Sequence, residues 1–382
     1  MNHMNNRIWL SLAHMGGHEQ QFIKEAFDTN WVVPLGPNVD GFEKDIESYL
    51  GEERYVVALN AGTAALHLGL VLLDVKPGDE VICQSFTFSA SANPVTYLGA
   101  KPVFVDSEPD TWNISPQLLE EAILDRKKKT GKFPKAIIPV HLYGMPAKMY
   151  EIMVISQKYG IPVLEDAAEA LGSTYSGQKC GTFGDLGVLS FNGNKVITTS
   201  GGGALICRTK EDAVRAKFFA TQARDNAIHY QHSHIGYNYR LSNICAGIGR
   251  GQMFVLDEHI ARRREIHSIY CNLLKDVPGI RVMKNPTENI NSIYWLTCIL
   301  IDSKIFGKTR EEVCLHLKNH NIESRPLWKP MHLQPVFANA VSYENGVSEN
   351  LFNNGLCLPS GSSLSDDDIN QIFETIIINA DM

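Results

Sequence analysis

Lys195 is the residue of this chain best suited to covalent chemistry. It follows a strand-like segment at 187–191 and precedes a glycine run at 201–203. Lysine forms imines with aldehydes, and its amine becomes nucleophilic when it is desolvated or set near another cation. The glycines permit close backbone approaches that a Cβ atom would block. The alternative is a surface lysine beside a loop, which is the usual case for a lysine chosen at random but less so for one in this setting.

A cluster of carboxylates follows another apolar segment, at 163–172. Glu165 and Asp166 end the strand-like run, and Glu169 comes three residues after Asp166. A carboxylate at a buried strand end is costly unless a cation accompanies it. A protonated pyridine nitrogen would be such a cation, and ionised Asp166 would keep that nitrogen protonated. A carboxylate that caps a helix is the alternative.

Two further segments provide a helix start and an aromatic ring. At 59–67 a predicted strand ends at Gly62 and Thr63, and the helix that follows can hold a phosphate at its N-terminus. At 84–94 Phe88 follows a strand and can stack on a flat ring. In isolation, a helix start without a ligand and a core phenylalanine are the commoner interpretations.

The four sites gain weight from their order along the chain. Phosphate cradle, aromatic ring, carboxylate and lysine are separated by roughly 25, 80 and 30 residues, and each closes a different predicted strand. Ligands of open α/β sheets bind beyond the carboxyl ends of the strands. The conjunction predicts one site for a phosphorylated pyridine aldehyde, pyridoxal phosphate (PLP).

The elements that must position these residues alternate between short strands and helices. This alternation predicts an α/β fold with a mainly parallel, seven-stranded sheet flanked by helices. The seven strand segments are 54–59, 80–83, 102–106, 136–140, 162–165, 187–191 and 203–207. Helices are predicted at 212–223 and at 241–274, the second with a break near 247–251.

After about residue 277 the pattern changes, which predicts a smaller C-terminal α+β domain. Its predicted strands are 292–301 and 322–324, and its predicted helices are 309–319 and 366–379. We expect residues 1–30 to form an N-terminal segment that packs on this domain or on a partner subunit. The predicted domains are then 31–255 for the PLP-binding part and 256–382 for the smaller one.

Composition narrows the partners and the compartment. The 382 residues carry a net charge of −7, and 44% of them are hydrophobic. Neither nucleic acid nor an anionic membrane is an expected partner, and no apolar run reaches membrane-spanning length. The eight cysteines form no C-x-x-C pair, so no metal site is predicted, and buried free thiols indicate a cytoplasmic protein.

In order and wording these segments resemble the sugar-nucleotide aminotransferases of the DegT/StrS group, which are fold-type-I PLP enzymes. The resemblance covers essentially the whole chain and includes the segments 34–37, 139–144 and 236–243. Segments 13–17, 190–203 and 325–332 look most like the UDP-sugar 4-aminotransferases of bacillosamine-type pathways. Those enzymes aminate UDP-2-acetamido-4-keto-2,4,6-trideoxy-glucose with L-glutamate.

The resemblance implies a role for each matching residue. Lys195 carries PLP as a Schiff base and moves the proton, Asp166 pairs with the pyridine nitrogen, and Phe88 stacks on the ring. The remaining roles fall into two groups. Phosphate ligands are Gly62, Thr63, Ser190 and, from the neighbouring subunit of a homodimer, Asn238; substrate contacts are Trp31, Pro34, Arg325, Trp328 and His332.

Glu169 stands where many members of the group have Gln or His. The resemblance places this position beside O3′ of the cofactor, a phenolate. Repulsion by that oxygen and burial should both raise the pKa of Glu169, so we expect a protonated carboxyl that donates a hydrogen bond to O3′. The alternative is an ionised Glu169 turned towards solvent or a local lysine. Ser200 also departs from the wider group, whose glycine run reads Gly-Glu-Gly-Gly.

Two other functions remain as alternatives. A PLP-dependent sugar dehydratase of the same group would replace the anchoring lysine with histidine, and this chain retains Lys195. The other is a non-catalytic binder or regulator that keeps the fold. A regulator of a carbohydrate pathway would need a nucleic-acid-binding module, and the sequence contains no recognisable one.

Overall fold

A computed structural model describes residues 7–51 and 53–378 of the chain. The helices are α1 Glu19–Asp28, α2 Pro37–Leu50, α3 Gly62–Leu72, α4 Asn93–Tyr97, α5 Pro116–Thr130, α6 Met149–Tyr159, α7 Lys210–Ala220, α8 Asn243–Met253, α9 Leu256–Leu274, α10 Ser303–Phe306, α11 Arg310–Asn319, α12 Val347–Asn354 and α13 Asp366–Ile378. The strands are β1 Tyr55–Leu59, β2 Glu80–Gln84, β3 Lys101–Val105, β4 Ala136–Ile138, β5 Leu164–Asp166, β6 Thr174–Tyr175, β7 Gln178–Lys179, β8 Leu186–Ser190, β9 Gly203–Cys207, β10 Ile280–Val282, β11 Ile290–Asn291, β12 Thr297–Ile301, β13 Arg325–Pro326, β14 Val341–Tyr343 and β15 Gly355–Leu358.

The central sheet contains all seven predicted strands. Strands β3, β2 and β4 pair in parallel, as do β5 and β8. Parallel bridges from Ile137 to Val163 and from Val140 to Asp166 join these two halves. The order is therefore β3-β2-β4-β5-β8-β9-β1, which confirms the predicted α/β fold with a mainly parallel sheet.

Strand β9 is the exception to the parallel arrangement, because it pairs antiparallel with both β8 and β1. The chain returns from β8 to β9 through residues 191–202, which contain no helix. A parallel return would need a longer crossover, usually through a helix. Lys195 lies in this return loop, and a Cβ atom on Gly203 would come within 2.4 Å of the backbone nitrogen of Gly62. The glycine run thus lets the loop close against the start of α3.

The C-terminal part forms a second sheet, β10-β12-β15-β13, whose strands pair antiparallel. Residues of α9, α11 and α13 pack with it in one apolar cluster. Strand β14 instead joins the central sheet as an eighth strand, parallel to β3. The domain boundary at residue 255 stays a prediction. Strand β14 follows that boundary in the sequence but belongs to the central sheet.

Several predicted boundaries were wrong. The long helix at 241–274 breaks at residues 254–255 and not at 247–251, because its glycines lie in the α8 face packed on neighbouring elements. The strand at 292–301 begins only at Thr297, since Tyr294 has a positive φ of 48°. At 322–324 only Ile322 forms a bridge, with Ile8. Asn379, the predicted end of the last helix, lies outside the described residues.

The N-terminal segment divides its contacts. Ile8 pairs with Ile322 of the C-terminal part, as predicted, but α1 packs mainly against α8. Within residues 7–51 and 53–378, every helix is too short or too polar to cross a membrane.

Candidate active site

A cavity of about 340 Å³ opens at the carboxyl ends of the central strands. The loops after β1, β2, β5 and β8 all contribute to its wall, as expected for an open α/β sheet. Eight of the residues predicted from the sequence line it: Gly62, Thr63, Phe88, Asp166, Glu169, Ser190, Lys195 and Trp328. The four sites recognised along the chain therefore form one site in space.

The N-terminus of α3 forms one end of the cavity. The residue before the helix is Ala61, whose side chain cannot cap it, so the first N–H groups of the helix have no side-chain acceptor. A Cβ atom on Gly62 would lie 3.1 Å from Cβ of Ser190, which shows how closely α3 approaches the end of β8. This cradle of N–H groups with the hydroxyls of Thr63 and Ser190 fits a phosphate.

Asp166 ends β5 and points into the cavity from below. Its Oδ2 accepts a hydrogen bond of 2.6 Å from Ser91 Oγ, which lies 2.7 Å from Thr87 Oγ1. Its Oδ1 accepts from the backbone N–H of Ala168 at 3.1 Å. The carboxylate is only 5% exposed, so a protonated pyridine nitrogen is the kind of partner its burial requires.

Lys195 and Glu169 are in contact at the wall of the same cavity. Lys195 Nζ lies 3.3 Å from Glu169 Oε1, and Glu169 Oε2 accepts a hydrogen bond of 2.7 Å from the backbone N–H of Tyr143. Burial raises the pKa of Glu169 to about 7, although Lys195 and the Tyr143 N–H oppose the shift. The direction is the one expected from the sequence. The contact with a lysine is the feature of the alternative interpretation.

Aromatic rings line the outer side of the cavity. Phe88 is 57% exposed, which is not the environment of a core residue, and its ring centre lies 5.3 Å from that of Trp328. Tyr143 holds Trp328 by accepting a hydrogen bond of 2.9 Å from its backbone N–H. Trp295 lies beneath Lys195, whose Nζ is 4.1 Å from its ring centre. The rings form an apolar surface next to the charged side chains of Asp166, Glu169 and Lys195.

Five predicted site residues do not line the cavity. Asn238 is exposed, and its backbone oxygen accepts a hydrogen bond from Asn60 Nδ2. Arg325 is exposed and pairs with Glu323 at 2.8 Å. His332 is held by Ser85, with 2.6 Å between Nδ1 and Oγ. Trp31 and Pro34 are exposed on the segment between α1 and α2.

Sequence reasoning missed Ser91 and Trp295. Ser91 lies in the segment already singled out for Phe88, and its spacing gave no sign that its hydroxyl reaches Asp166. Trp295 was assigned to a strand. An aromatic pair next to a predicted strand start was the available signal, but only packing brings Trp295 to Lys195.

Comparison with known proteins identifies the family. The model of the DegT/DnrJ/EryC1/StrS aminotransferase family matches residues 14–377. The chain belongs to this family. It is 49% identical to the putative pyridoxal phosphate-dependent aminotransferase EpsN of Bacillus subtilis, over 98% of this chain and 96% of that protein.

Two further relatives agree with this assignment. GDP-perosamine synthase of Caulobacter vibrioides is 37% identical over 97% of each chain. The crystal structure of a family member from Brucella abortus superposes with a TM-score of 0.87 at 32% identity, over 94% of each chain. The protein is a PLP-dependent aminotransferase of the sugar-nucleotide kind, which confirms the predicted cofactor and enzyme class. That class takes an amino donor and a nucleotide-sugar acceptor. The dehydratase and the non-catalytic binder are thereby set aside.

Proposed function

We propose that the protein transfers the amino group of L-glutamate to a UDP-linked 4-keto amino sugar of the UDP-2-acetamido-4-keto-2,4,6-trideoxy-glucose type. The products are the UDP-4-amino sugar and 2-oxoglutarate. The observation that carries the proposal is the single cavity that unites Lys195, Asp166 and the start of α3. These groups fit the aldehyde, the pyridine nitrogen and the phosphate of PLP.

The chain's own groups hold the cofactor at three points. The α3 N–H groups with Thr63 and Ser190 would bind the phosphate, Asp166 would pair with the pyridine nitrogen, and Phe88 would stack on the ring. When bound, PLP stores the amino group between the two halves of the reaction and acts as an electron sink. Ser91 orients Asp166 through its hydrogen bond of 2.6 Å.

Lys195 anchors the cofactor and also moves protons. Once glutamate has displaced it from the cofactor, its freed amine would take the proton from Cα of glutamate, and in the second half of the reaction it would deliver a proton to C4 of the sugar. Glu169 lies 3.3 Å away and Trp295 packs against the same nitrogen, so the amine has a defined position between them.

We assign the substrate contacts to two aromatic side chains of the cavity wall and to Arg325, which lies outside that wall. Trp328 and Phe88 offer flat apolar surfaces to a pyranose ring and to a C6 methyl group. Arg325, whose side chain is 65% exposed, can bind a carboxylate or a diphosphate. We assign His332, Trp31 and Pro34 to the substrate as well, on the resemblance alone.

We further propose a homodimer in which Asn238 binds the phosphate of the partner subunit's cofactor. Asn238 is exposed and is not itself part of the cavity wall of its own subunit, which supports this arrangement. Exposed apolar side chains at Trp31, Val32, Val33 and Leu35 form a surface of the kind that a second copy covers. The eight free thiols agree with the cytoplasmic location predicted from the sequence.

A panel of keto-sugars tests the proposed substrate. Purified protein with PLP and glutamate should convert the UDP-linked 4-keto-2-acetamido sugar, and mass spectrometry of the nucleotide sugars should show replacement of the ketone by an amine. The GDP- and dTDP-linked 4-keto sugars are the necessary comparison, because one relative bears the name GDP-perosamine synthase. Faster turnover of either would contradict the UDP assignment while leaving the aminotransferase assignment intact.

A further inference from the structure

Arg263 is a fully buried cation that lies behind Lys195. It projects from α9, its side chain is 1% exposed, and burial lowers its pKa to about 10. No carboxylate of the described residues forms an ion pair with it, and its Nε has no hydrogen-bond partner there. An arginine buried without a counter-ion is costly, so its remaining contacts have to account for its presence.

One of those contacts is a hydrogen bond of 3.0 Å from Nη1 to the backbone oxygen of Ser360, and the others join the two segments that flank the amine of Lys195. Arg263 Nη1 donates to the backbone oxygen of Trp295 at 2.7 Å, and Nη2 reaches that of Lys195 at 3.5 Å. Nη2 also donates to Ser11 Oγ at 3.1 Å, and Ser11 Oγ donates to the backbone oxygen of Asn194 at 2.9 Å. One guanidinium group therefore fixes the loop of Lys195 relative to Trp295.

Neighbouring side chains complete the same framework. Trp295 Nε1 donates to the backbone oxygen of Asn194 at 2.7 Å. His259, one helical turn before Arg263 on the same face of α9, places Nδ1 3.4 Å from the backbone oxygen of Val196. Three consecutive carbonyl groups, those of residues 194, 195 and 196, are thus held by side chains from other elements.

We propose that Arg263 is a positioning residue for the amine of Lys195, because it ties the loop carrying Lys195 to the segment carrying Trp295. The planar fork of arginine presents its N–H donors to both carbonyl groups in a fixed geometry, whereas the compact ammonium of a lysine is shorter and has no such fork. Arg263 is not part of the cavity wall, so it acts through Lys195 and Trp295. The inference rests on the proposed attachment of PLP to Lys195.

The test distinguishes an effect on the position of the Lys195 amine from an effect on the cavity as a whole. Pyridoxamine phosphate fills the same cavity but forms no bond to a lysine, so calorimetry of its binding reports the cavity alone. The rate at which the visible absorbance band appears after PLP is added to cofactor-free protein reports capture by the amine. For Arg263→Lys we expect pyridoxamine phosphate affinity within about threefold of wild type, and capture rate and turnover at least about tenfold lower.

Three companions make the outcome decisive. Arg262→Lys, on the same helix, disturbs the ion pairs with Glu265 and Asp366 and the hydrogen bond to the backbone oxygen of Leu364, none of which involves the loop of Lys195, and should behave as wild type. Ser11→Ala removes the relay to Asn194 without burying a new group and should slow capture about threefold. The Ser11→Ala variant still tests the proposal if Arg263→Lys does not fold. Lys195→Ala should show no capture.

Two results would overturn the role of Arg263. An equal loss of pyridoxamine phosphate affinity and capture rate would make it a residue that merely supports the cavity. Unchanged capture in folded Arg263→Lys, or in Ser11→Ala where the first variant does not fold, would show that it positions nothing. Capture by Lys195→Ala would instead refute the attachment of PLP to Lys195, which is a separate failure.

Discussion

The carboxyl group of Glu169 lies 3.3 Å from the amine of Lys195, with both side chains largely buried at the wall of the cavity. Burial raises the pKa of this carboxyl to about 7, so its proton is available near neutral pH. A group in that state can donate a hydrogen bond that an ionised carboxylate cannot. The protonation state of Glu169 can therefore be tested by substitution and by changing the pH.

Substitution of Glu169 should distinguish a hydrogen-bond donor from a charge. If protonated Glu169 donates to O3′ of the cofactor, Glu169→Gln retains the donor and should keep turnover within about tenfold of wild type, a barrier change of about 1.4 kcal/mol. Glu169→Ala should lose more activity and shift the pH titration of the visible absorbance band. Steady-state kinetics and that titration provide the measurements. An inactive Gln variant beside an unaffected Ala variant would contradict the donor role.

The raised pKa of Glu169 also predicts a pH-dependent stability difference. Since the folded protein binds this proton more tightly than the unfolded chain, whose pKa is 4.5, the stabilising contribution is complete below that value and is lost as pH rises through about 7. Glu169→Gln stays neutral throughout. The Tm of the cofactor-free Gln variant minus that of wild type should therefore increase between about pH 5 and about pH 8. A gap that stays constant would show that the carboxyl is already ionised in the folded state.

Ser91→Ala should weaken the support of Asp166. The substitution removes a hydrogen bond of 2.6 Å to a buried carboxylate, and such bonds to charged groups contribute about 1.5–3 kcal/mol. We expect PLP affinity and turnover to fall by roughly ten- to a hundredfold. The matched control is Ser89→Ala, two residues earlier and outside the cavity wall. Equal behaviour of the two variants would remove Ser91 from the site.

Asn238 allows a test of sharing between subunits. The double variant Lys195→Ala/Asn238→Ala, mixed with wild type, produces heterodimers in which one site has wild-type Lys195. If Asn238 serves the partner's site, that site lacks its asparagine and should bind PLP weakly. Differently tagged subunits allow the heterodimer to be purified and titrated with PLP. Wild-type affinity there would show that Asn238 acts within its own subunit or not at all.

Lys195→Ala should abolish turnover, because no other side chain of the cavity wall can form an imine with PLP. The variant should still bind PLP through the phosphate cradle and Asp166. Mass spectrometry of the nucleotide sugars, with substrate in large excess over enzyme, detects even a trace of the amino-sugar product. More than a trace of transamination would contradict the central assignment.

The sequence by itself determined the seven strands of the central sheet and the order of the groups at their ends. Strand-forming runs and the turn residues after them are local properties, so Gly62, Asp166 and Lys195 could be placed on their elements without a structure. The rule that ligands bind beyond strand ends then predicted that they meet. Helix and strand ends were predicted less well, because packing at α8 and the positive φ of Tyr294 override the local pattern.

Only the tertiary structure decided which distant side chains support these groups. Three such pairs are far apart in the chain. Ser91 and Asp166 are separated by 75 residues, Lys195 and Trp295 by 100, and Lys195 and Arg263 by 68. No local periodicity encodes such contacts. Ser91 and Asp166 follow different strands of the central sheet, and the other two pairs depend on how α9 and the C-terminal part pack against that sheet. The raised pKa of Glu169 has the same origin, because burial is a property of the assembled fold and not of the residue.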